Sequence, residues 1–318
     1  MAKILLTGGA GFIGSHLAER LLTEGHRLLV VDDFNDFYSP ERKRKNLSTV
    51  RAFGAFDLIE ADICDSDRMT LTFEQFHPEV VVHLAARAGV RPSLEQPLLY
   101  EQTNVRGTLL LLELARKHGV HRFVFASSSS VYGSTSRIPF SEEASDPFPI
   151  SPYGVTKLAG EKLCYCYSRI YKLPAVCLRF FTVYGPRQRP DLAIHKFVRL
   201  IEENREIPFF GDGSSLRDYT FIDDIVDGIV AAIKLDSQFD VINLGNSHPI
   251  SLSHLIHLLE QKLGKTARIK TLSIQPGDML STHADLTKAH ELLGYEPKVS
   301  FENGFGCFLN WFRNDVPY

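Results

Sequence analysis

Short apolar segments alternate with longer amphipathic segments through the first half of this sequence, and that alternation constrains the fold more than any other feature. The apolar segments have the length of buried strands, and the amphipathic ones have helical spacing. The predicted strands cover residues 3–7, 27–32, 56–61, 80–85, 122–127 and 175–181, and the predicted helices cover residues 15–24, 104–118 and 153–171. Because apolar strands that alternate with helices form parallel sheets covered on both faces, we predict a doubly wound, Rossmann-type α/β fold.

The alternation becomes less regular from about residue 183. Later helices are predicted near residues 193–204, 222–235, 251–263 and 285–293, with short strands at residues 207–210, 241–244 and 268–271. We therefore predict a larger domain over residues 1–182, to which segments near 212–245 return. Residues 183–211 and 246–318 are predicted to form a smaller, mixed α/β lobe.

The composition of the 318 residues is that of a globular protein, with 44% hydrophobic and 23% charged residues. A net charge of −3 argues against binding of nucleic acid through its phosphates. No apolar run approaches the roughly 20 residues of a membrane helix, and residues 3–14 lack the cleavage site of a signal peptide. Five cysteines without metal-ligand spacing favour reduced thiols, no bound metal and a cytoplasmic location.

A glycine-rich turn separates the first predicted strand from the first predicted helix. Gly8, Gly11 and Gly14 have GxxGxxG spacing, which lets the backbone approach a pyrophosphate at a helix N-terminus. Asp32 ends the second strand, where a carboxylate binds the adenosine ribose and repels a 2′-phosphate, so NAD is favoured over NADP. Further candidate cofactor contacts lie beside this turn and at neighbouring strand ends: Phe12, Ile13, Asp62, Ile63, Leu84, Ala85 and Ala86. The basic run at residues 42–45 is an alternative site for a 2′-phosphate, although its polar surroundings favour a solvated helix face.

Tyr153 and Lys157 begin a predicted helix, and their i, i+4 spacing places them on one face. A phenol has a pKa of about 10, too high for an efficient base at neutral pH. We expect the Lys157 ammonium and the positive nicotinamide ring of NAD⁺ to lower that pKa and make Tyr153 a usable base. Four serines at residues 127–130 end the fifth strand, where a hydroxyl can reach the substrate oxygen that is oxidised.

Together these motifs resemble an extended short-chain dehydrogenase/reductase of the nucleotide-sugar epimerase group. The resemblance covers nearly the whole chain and rests on TGGAGFIG at 7–14, Asp32, HLAA at 83–86, Asn104, SSSSVYG at 127–133, YGVTK at 153–157, RFFTVYGP at 179–186 and RDYTFIDD at 217–224. It implies an NAD-binding larger domain with a contact at Asn104, and a smaller lobe that binds a UDP- or dTDP-sugar. It also implies a homodimer, since helices 97–117 and 153–171 resemble those of a two-chain four-helix interface.

The same resemblance implies the roles of the catalytic residues. Tyr153 takes and returns the proton of the sugar O4, Lys157 tunes it and orients the ribose, and Ser128 bridges O4. Hydride passes to NAD⁺, and it returns to the opposite face of a transient 4-keto sugar. Ser129 and Ser130 stand where sugar dehydratases carry Asp-Glu and UDP-glucuronate decarboxylases carry Glu, so the resemblance favours a 4-epimerase.

Finer features resemble UDP-glucuronate 4-epimerases, namely residues 32–47, 88–93, 182–191 and 275–278. A guanidinium matches a hexuronate carboxylate, and we expect Arg189 to be its partner, with Arg187 as the alternative. A phosphate contact or a loop salt bridge is the other interpretation of Arg189. The expected substrate contacts are Arg91, Ser127, Ser128, Ser129, Thr182, Arg189, Arg217, Gln275 and Asp278. Epimerisation of UDP-glucose or UDP-N-acetylglucosamine, and UDP-glucuronate decarboxylation, are the alternative reactions.

Overall fold

A computed structural model describes residues 1–134, 137–143, 147–273, 277 and 279–315 of the chain. The strands in this part of the chain are β1 (Lys3–Thr7), β2 (Arg27–Asp32), β3 (Asp57–Glu60), β4 (Val80–His83), β5 (Arg122–Ser128), β6 (Ala175–Phe180), β7 (Thr182–Tyr184), β8 (Glu206–Phe210), β9 (Leu216–Phe221), β10 (Phe239–Leu244), β11 (Pro249–Ser251) and β12 (Arg268–Leu272). The helices are α1 (Phe12–Thr23), α2 (Pro40–Val50), α3 (Ser66–Phe76), α4 (Val90–Glu95), α5 (Pro97–Glu101), α6 (Thr108–Lys117), α7 (Pro152–Tyr171), α8 (Ala193–Glu202), α9 (Ile222–Lys234), α10 (Leu252–Leu263), α11 (Thr287–Leu293) and α12 (Phe301–Asp315).

Seven parallel strands form the central sheet in the order β10-β6-β5-β4-β1-β2-β3. The order reverses beside β1, and ligands of such open sheets bind where the carboxyl ends of the strands diverge. The doubly wound parallel sheet predicted from the sequence is therefore confirmed. The later strands form a three-stranded sheet, β11-β9-β7, and a two-stranded pair, β12-β8.

Successive side chains of the sheet enter apolar cores on opposite faces, as a strand period of two requires. In β1, Ile4 and Leu6 pack into the core that α1 and α9 cover. Leu5 packs into the opposite core, which α3, α6 and α7 cover. Within the described chain, no helix is both long and apolar enough to cross a membrane.

The six strands predicted in the first half occur within one or two residues of their expected limits. β10 joins the central sheet, as a returning segment should, whereas β9 joins the small sheet beside it. The exact division between domain and lobe therefore stays a prediction.

One predicted helix differs from the structure. The sequence predicts a continuous helix over residues 104–118, but residues Gln102–Gly107 form a π-helical turn and α6 begins only at Thr108. The wider turn accompanies a tertiary bond: the Asn104 side chain binds the backbone of the loop after β4. Apolar spacing carries no signal for such a bond, so the prediction was wrong at this end of the helix.

His83 links β4 to β1 and to α6 through buried hydrogen bonds. Its Nδ1 lies 2.7 Å from the Thr7 hydroxyl and its Nε2 lies 2.9 Å from the Thr108 hydroxyl. The Thr108 hydroxyl donates to the Asn104 carbonyl, so it accepts from His83, and the imidazole is neutral with its proton on Nε2. Burial, with a smaller effect of Lys157, lowers the pKa of His83 to about 3.

This buried imidazole should make the fold sensitive to acid. Below pH 6.5 the unfolded chain binds a proton that the folded chain excludes, so the free energy of unfolding should fall as the pH falls. Urea titrations at about pH 5.5 and about pH 7.5 should show this loss, and His83→Gln should reduce it because glutamine does not titrate. An equal pH dependence in both proteins would contradict the assignment.

Candidate active site

The turn between β1 and α1 brings the backbone close to the loop after β4. Gly8 has a φ of +72°, and a Cβ atom there would lie 2.7 Å from the Ala85 nitrogen. A Cβ atom on Gly14 would lie 2.2 Å from the Gly8 carbonyl oxygen. Both positions therefore require glycine, and the turn keeps the shape that lets a pyrophosphate approach the N-terminus of α1.

Asp32 is held at the end of β2 by two backbone donors. The Ala10 and Phe34 N–H groups donate to its carboxylate at 3.1 and 3.0 Å. Burial raises the pKa of this carboxyl, and the neighbouring Lys43 ammonium opposes the rise. The carboxylate faces the cleft at the place predicted for the adenosine ribose.

The basic run at residues 42–45 does not form one solvated face, so that interpretation was wrong for Lys43. Lys43 is buried, donates to the Asn35 carbonyl at 2.9 Å and lines the cleft near Asp32. Arg44 points elsewhere and pairs with Glu60 at 2.9 Å. The four side chains point in different directions, so they do not form the cluster of positive charges that a 2′-phosphate would need.

The signal for Lys43 was present in the sequence. The buried residues of α2 follow i, i+3, i+4, i+7 spacing: Lys43, Asn46, Leu47 and Val50. Such spacing defines the inner face of a helix. The charge of the run concealed this pattern.

We expect Asp32→Ser to shift the cofactor preference toward NADP. The substitution removes the carboxylate that repels a 2′-phosphate and leaves the Lys43 ammonium beside the vacated space. One charge pair near a protein surface is worth a few kcal/mol at most, so the ratio of the two Kd values should change about tenfold or more. Calorimetric titration with NAD and NADP measures that ratio, with Asp33→Ser as the matched control. An unchanged ratio would contradict the role of Asp32.

The cleft brings together nearly all of the predicted cofactor contacts. It is lined by Gly8, Gly11, Phe12, Ile13, Gly14, Asp32, Asp62, Ile63, Leu84, Ala85, Ala86, Tyr153 and Lys157. These residues come from the ends of four strands of the central sheet, β1 to β4, from the first turn of α1 and from α7. The required glycines, the carboxylate at the end of β2 and the small residues of the loop after β4 fit a dinucleotide.

Asn104 is outside this lining, and its amide has other partners. The Asn104 oxygen accepts from the Arg87 N–H at 2.8 Å, and its two N–H groups donate to the Arg87 carbonyl and the Thr156 hydroxyl. Asn104 therefore holds the loop after β4 against α7, and the structure does not bring it to the cleft.

Tyr153 and Lys157 lie on the cleft face of α7. The helix begins at Pro152, and the Ser151 hydroxyl caps it by accepting from the Gly154 N–H at 3.1 Å. Lys157 donates to the Ala126 carbonyl at 2.7 Å, and its Nζ lies 6.0 Å from the centre of the Tyr153 ring. The predicted shared face is present.

Burial and two neighbouring side chains act on the pKa of Tyr153 in opposite directions. Burial raises its pKa, and the groups that oppose this rise are the Ser128 hydroxyl, which hydrogen-bonds to the phenol, and the Arg189 guanidinium. Burial lowers the pKa of Lys157 to about 7, so its own charge is only partly retained at neutral pH. In this arrangement, Ser128 and Arg189 are the groups that lower the pKa of Tyr153.

The strand-end serines differ in their contacts. The Ser127 hydroxyl lines the cleft but lies 2.5 Å from Glu161, which pairs with Arg179 at 2.8 Å. Ser128 contacts Tyr153 and accepts from the Ser130 N–H at 3.2 Å. Among these serines, Ser128 is the one whose hydroxyl interacts with the Tyr153 phenol, although it is not among the residues that line the cleft.

The two arginines of the loop after β7 point in different directions. Arg187 pairs with Glu19 of α1 at 2.8 Å. Arg189 lines the cleft beside Tyr153, and its Nε and Nη2 donate to Asp191 at 3.0 and 2.9 Å. The alternative that Arg187 reaches the substrate is therefore not supported by its position.

Four other predicted substrate contacts, Arg91, Ser129, Thr182 and Arg217, are not among the residues that line this cleft. Arg91 stacks on Phe210 with its guanidinium carbon 4.2 Å from the ring centre, and Arg217 donates to the Leu216 carbonyl at 2.8 Å. Ser129 and Thr182 flank the strand ends outside the described lining. Gln275 and Asp278 lie outside the described residues.

Comparison with known proteins is consistent with this site. The sequence model of the NAD dependent epimerase/dehydratase family matches residues 4–245. A UDP-glucuronate 4-epimerase from Thermodesulfobacterium geofontis is 42% identical over 317 residues, covering 99% of this chain and 98% of that protein. The chain belongs to the NAD-dependent epimerase/dehydratase family. Within that family it is an enzyme of the nucleotide-sugar epimerase group.

Two solved structures are similar over the full length. The UDP-glucuronic acid 4-epimerase of Bacillus cereus, in complex with UDP-glucuronic acid and NAD, has a TM-score of 0.92 and 38% identity, with 98% of each chain covered. The UDP-glucose 4-epimerase of Thermotoga maritima, with UDP-glucose, has a TM-score of 0.91 and 35% identity, with 99% of each chain covered. The fold is thus shared by epimerases of acidic and of neutral sugars.

Proposed function

We propose that this enzyme is an NAD-dependent UDP-sugar 4-epimerase that interconverts UDP-glucuronate and UDP-galacturonate. The observation that carries the choice of a uronate is Arg189, a guanidinium that lines the cleft beside Tyr153. Support also comes from the two full-length relatives that are named for UDP-glucuronate.

The residues of the chain divide the chemistry as follows. Tyr153 accepts the proton of the sugar O4 and returns it, and the Ser128 hydroxyl hydrogen-bonds to the phenol and holds O4 in line. Bound NAD supplies the hydride acceptor and donor. Lys157, fixed by the Ala126 carbonyl, orients the cofactor ribose next to Tyr153. Inversion requires the 4-keto sugar to turn about its diphosphate and present its other face.

A uronate also places a demand on the site. A 4-keto uronate carries its carboxylate β to the ketone and loses CO₂ easily, so the enzyme must hold that carboxylate where C–C cleavage is disfavoured. The pair with Asp191 uses two of the five N–H donors of Arg189, which leaves three donors outside the pair for a second carboxylate. The pair with Asp191 also fixes the plane of the guanidinium, so less side-chain freedom is lost when substrate binds.

The test is an incubation of the purified protein with UDP-glucuronate, with and without added NAD, followed by NMR of the products. UDP-galacturonate with little UDP-pentose is the expected result. A UDP-pentose product would instead identify a decarboxylase. The Thermotoga maritima match makes UDP-glucose the second candidate substrate, and turnover of UDP-glucose with none of UDP-glucuronate would select it.

We further propose a homodimer formed through α5, α6 and α7. The outer face of α7 exposes apolar side chains at positions 155, 166 and 170, spacing that keeps them on one side of the helix. Val155 is 52% exposed and Ile170 is 63% exposed, and Leu98 on the adjoining α5 is 82% exposed. A cytoplasmic location is proposed as well, because all five cysteines are free thiols.

Introducing a charge on that face should separate the subunits. Ile170→Asp places a carboxylate where the second copy would bury an apolar side chain, so the variant should elute as a monomer in light-scattering chromatography while the wild type elutes as a dimer. Ile269→Asp, at an exposed isoleucine of β12, is the matched control. A monomeric wild type, or a dimeric Ile170→Asp protein, would contradict the interface.

A further inference from the structure

Tyr100 is a buried tyrosine of α5 that lies behind the cleft and does not line it. Its side chain is only 2% exposed. Its ring meets the ring of Tyr153 edge to face, with the centroids 6.2 Å apart and the planes at 85°. Tyr153 is therefore bounded by the Tyr100 ring and hydrogen-bonded to the Ser128 hydroxyl.

The hydroxyl of Tyr100 has a second role. It donates to the Ala88 carbonyl at 2.7 Å. Asn104, about one helical turn later, holds both backbone polar groups of Arg87, the preceding residue. Arg87 and Ala88 belong to the loop after β4 and line the cleft. One helical turn thus holds two consecutive residues of the loop after β4, residues 84–88, which we call the cofactor loop.

We propose that Tyr100 is a positioning residue that sets the distance between the Tyr153 phenol and the cofactor loop. This proposal rests on the proposed function of Tyr153 as the base. The ring of Tyr100 limits the side-chain movement of Tyr153, and its hydroxyl fixes the loop after β4, which lines the same cleft. Both contacts come from one rigid side chain, so the same residue sets the position of the Tyr153 ring and the position of the loop.

The two contacts can be separated by substitution. Tyr100→Phe keeps the ring against Tyr153 and removes only the hydrogen bond to Ala88. Tyr100→Leu removes both. If Tyr100 acts as proposed, both variants should weaken NAD binding, and only Tyr100→Leu should slow the chemical step. A group that merely stabilises the fold would give losses that follow the melting temperature in both variants.

The experiment measures the Kd for NAD by calorimetry, kcat and KM for the UDP-sugar, and Tm for each variant. Tyr295→Phe is the matched control, since Tyr295 is a buried tyrosine of the lobe whose hydroxyl donates to the Gly245 carbonyl at 2.8 Å. We expect Kd to rise about threefold or more in both Tyr100 variants and kcat to fall about tenfold in Tyr100→Leu alone, with KM little changed, because small misplacements of a reacting group are costly. The control Tyr295→Phe should change neither the Kd for NAD nor kcat.

The outcomes separate this proposal from the proposed function. If the wild type binds NAD but converts no UDP-sugar, the proposed function fails. The NAD affinity of Tyr100→Phe then still tests whether the hydrogen bond from Tyr100 to Ala88 holds the loop. If the wild type is active, a normal kcat in Tyr100→Leu overturns the positioning of Tyr153. A wild-type Kd for NAD in Tyr100→Phe overturns the role of the hydroxyl.

Discussion

Tyr153→Phe should lower kcat by about three orders of magnitude, because it removes the group that transfers the O4 proton in both directions. The ring is retained, so its edge-to-face contact with Tyr100 and the packing of α7 should persist. The KM for the UDP-sugar, the Kd for NAD and the melting temperature should therefore change little. Steady-state kinetics coupled to NMR of the products measures the loss.

The matched control for this variant is Tyr165→Phe, a half-exposed tyrosine on the same helix outside the cleft. It should have a normal kcat. A turnover in Tyr153→Phe within about tenfold of the wild type would remove Tyr153 as the base, since general acid–base catalysis is usually worth more than that. A large loss accompanied by a lower melting temperature would instead indicate damage to the fold.

The pH profile is expected to reflect the same group. Burial raises the pKa of Tyr153, while Ser128 and Arg189 lower it. A base must be deprotonated to act, so kcat should increase with pH through the pKa that this tyrosine has in the complex. Any variant that removes Arg189 should move this limb to higher pH, because one of the groups that stabilise the phenolate is lost.

The central sheet and the cofactor turn could be predicted because local patterns specify them. The apolar strand β1, the glycines that follow and the acid that ends β2 are adjacent in the sequence and act through the backbone. The YxxxK pair was equally local, since helical spacing alone places Tyr153 and Lys157 together.

The features of the site that sequence patterns did not specify depend on contacts between distant segments. Lys43 turns inward because Asp32 and the Asn35 carbonyl offer it partners. The π-helical turn accompanies the bond between Asn104 and Arg87, and the directions of Arg187 and Arg189 follow from Glu19 and Asp191. Periodicity of apolar residues identifies none of these partners, although three of them are carboxylates (Asp32, Glu19 and Asp191) that a search for charge pairs could have considered.

The substrate preference depends on Arg189 more than on any other described residue. Arg189→Ala should raise the KM for UDP-glucuronate about a hundredfold, because it removes a charge-assisted bidentate contact that contributes about 3 kcal/mol to binding. The Kd for UDP, which has no sugar carboxylate, should change less than about twofold. The KM for any residual UDP-glucose turnover should likewise stay near its wild-type value. Competition kinetics with the two sugars and calorimetry with UDP measure the three quantities.

Arg187→Ala is the matched control, because that side chain comes from the same loop but pairs with Glu19 away from the cleft. It should keep the wild-type preference. The Arg189 guanidinium also lowers the pKa of Tyr153, so Arg189→Ala should reduce kcat for both sugars at neutral pH. This loss of kcat affects both sugars, whereas the rise in KM affects UDP-glucuronate alone. If binding of UDP-glucuronate and of UDP were weakened equally, Arg189 would be a contact of the diphosphate. In that case the enzyme would belong with the epimerases of neutral sugars. Among the described residues, the other arginine that lines the cleft is Arg87, and it pairs with Asp33 at 3.6 Å.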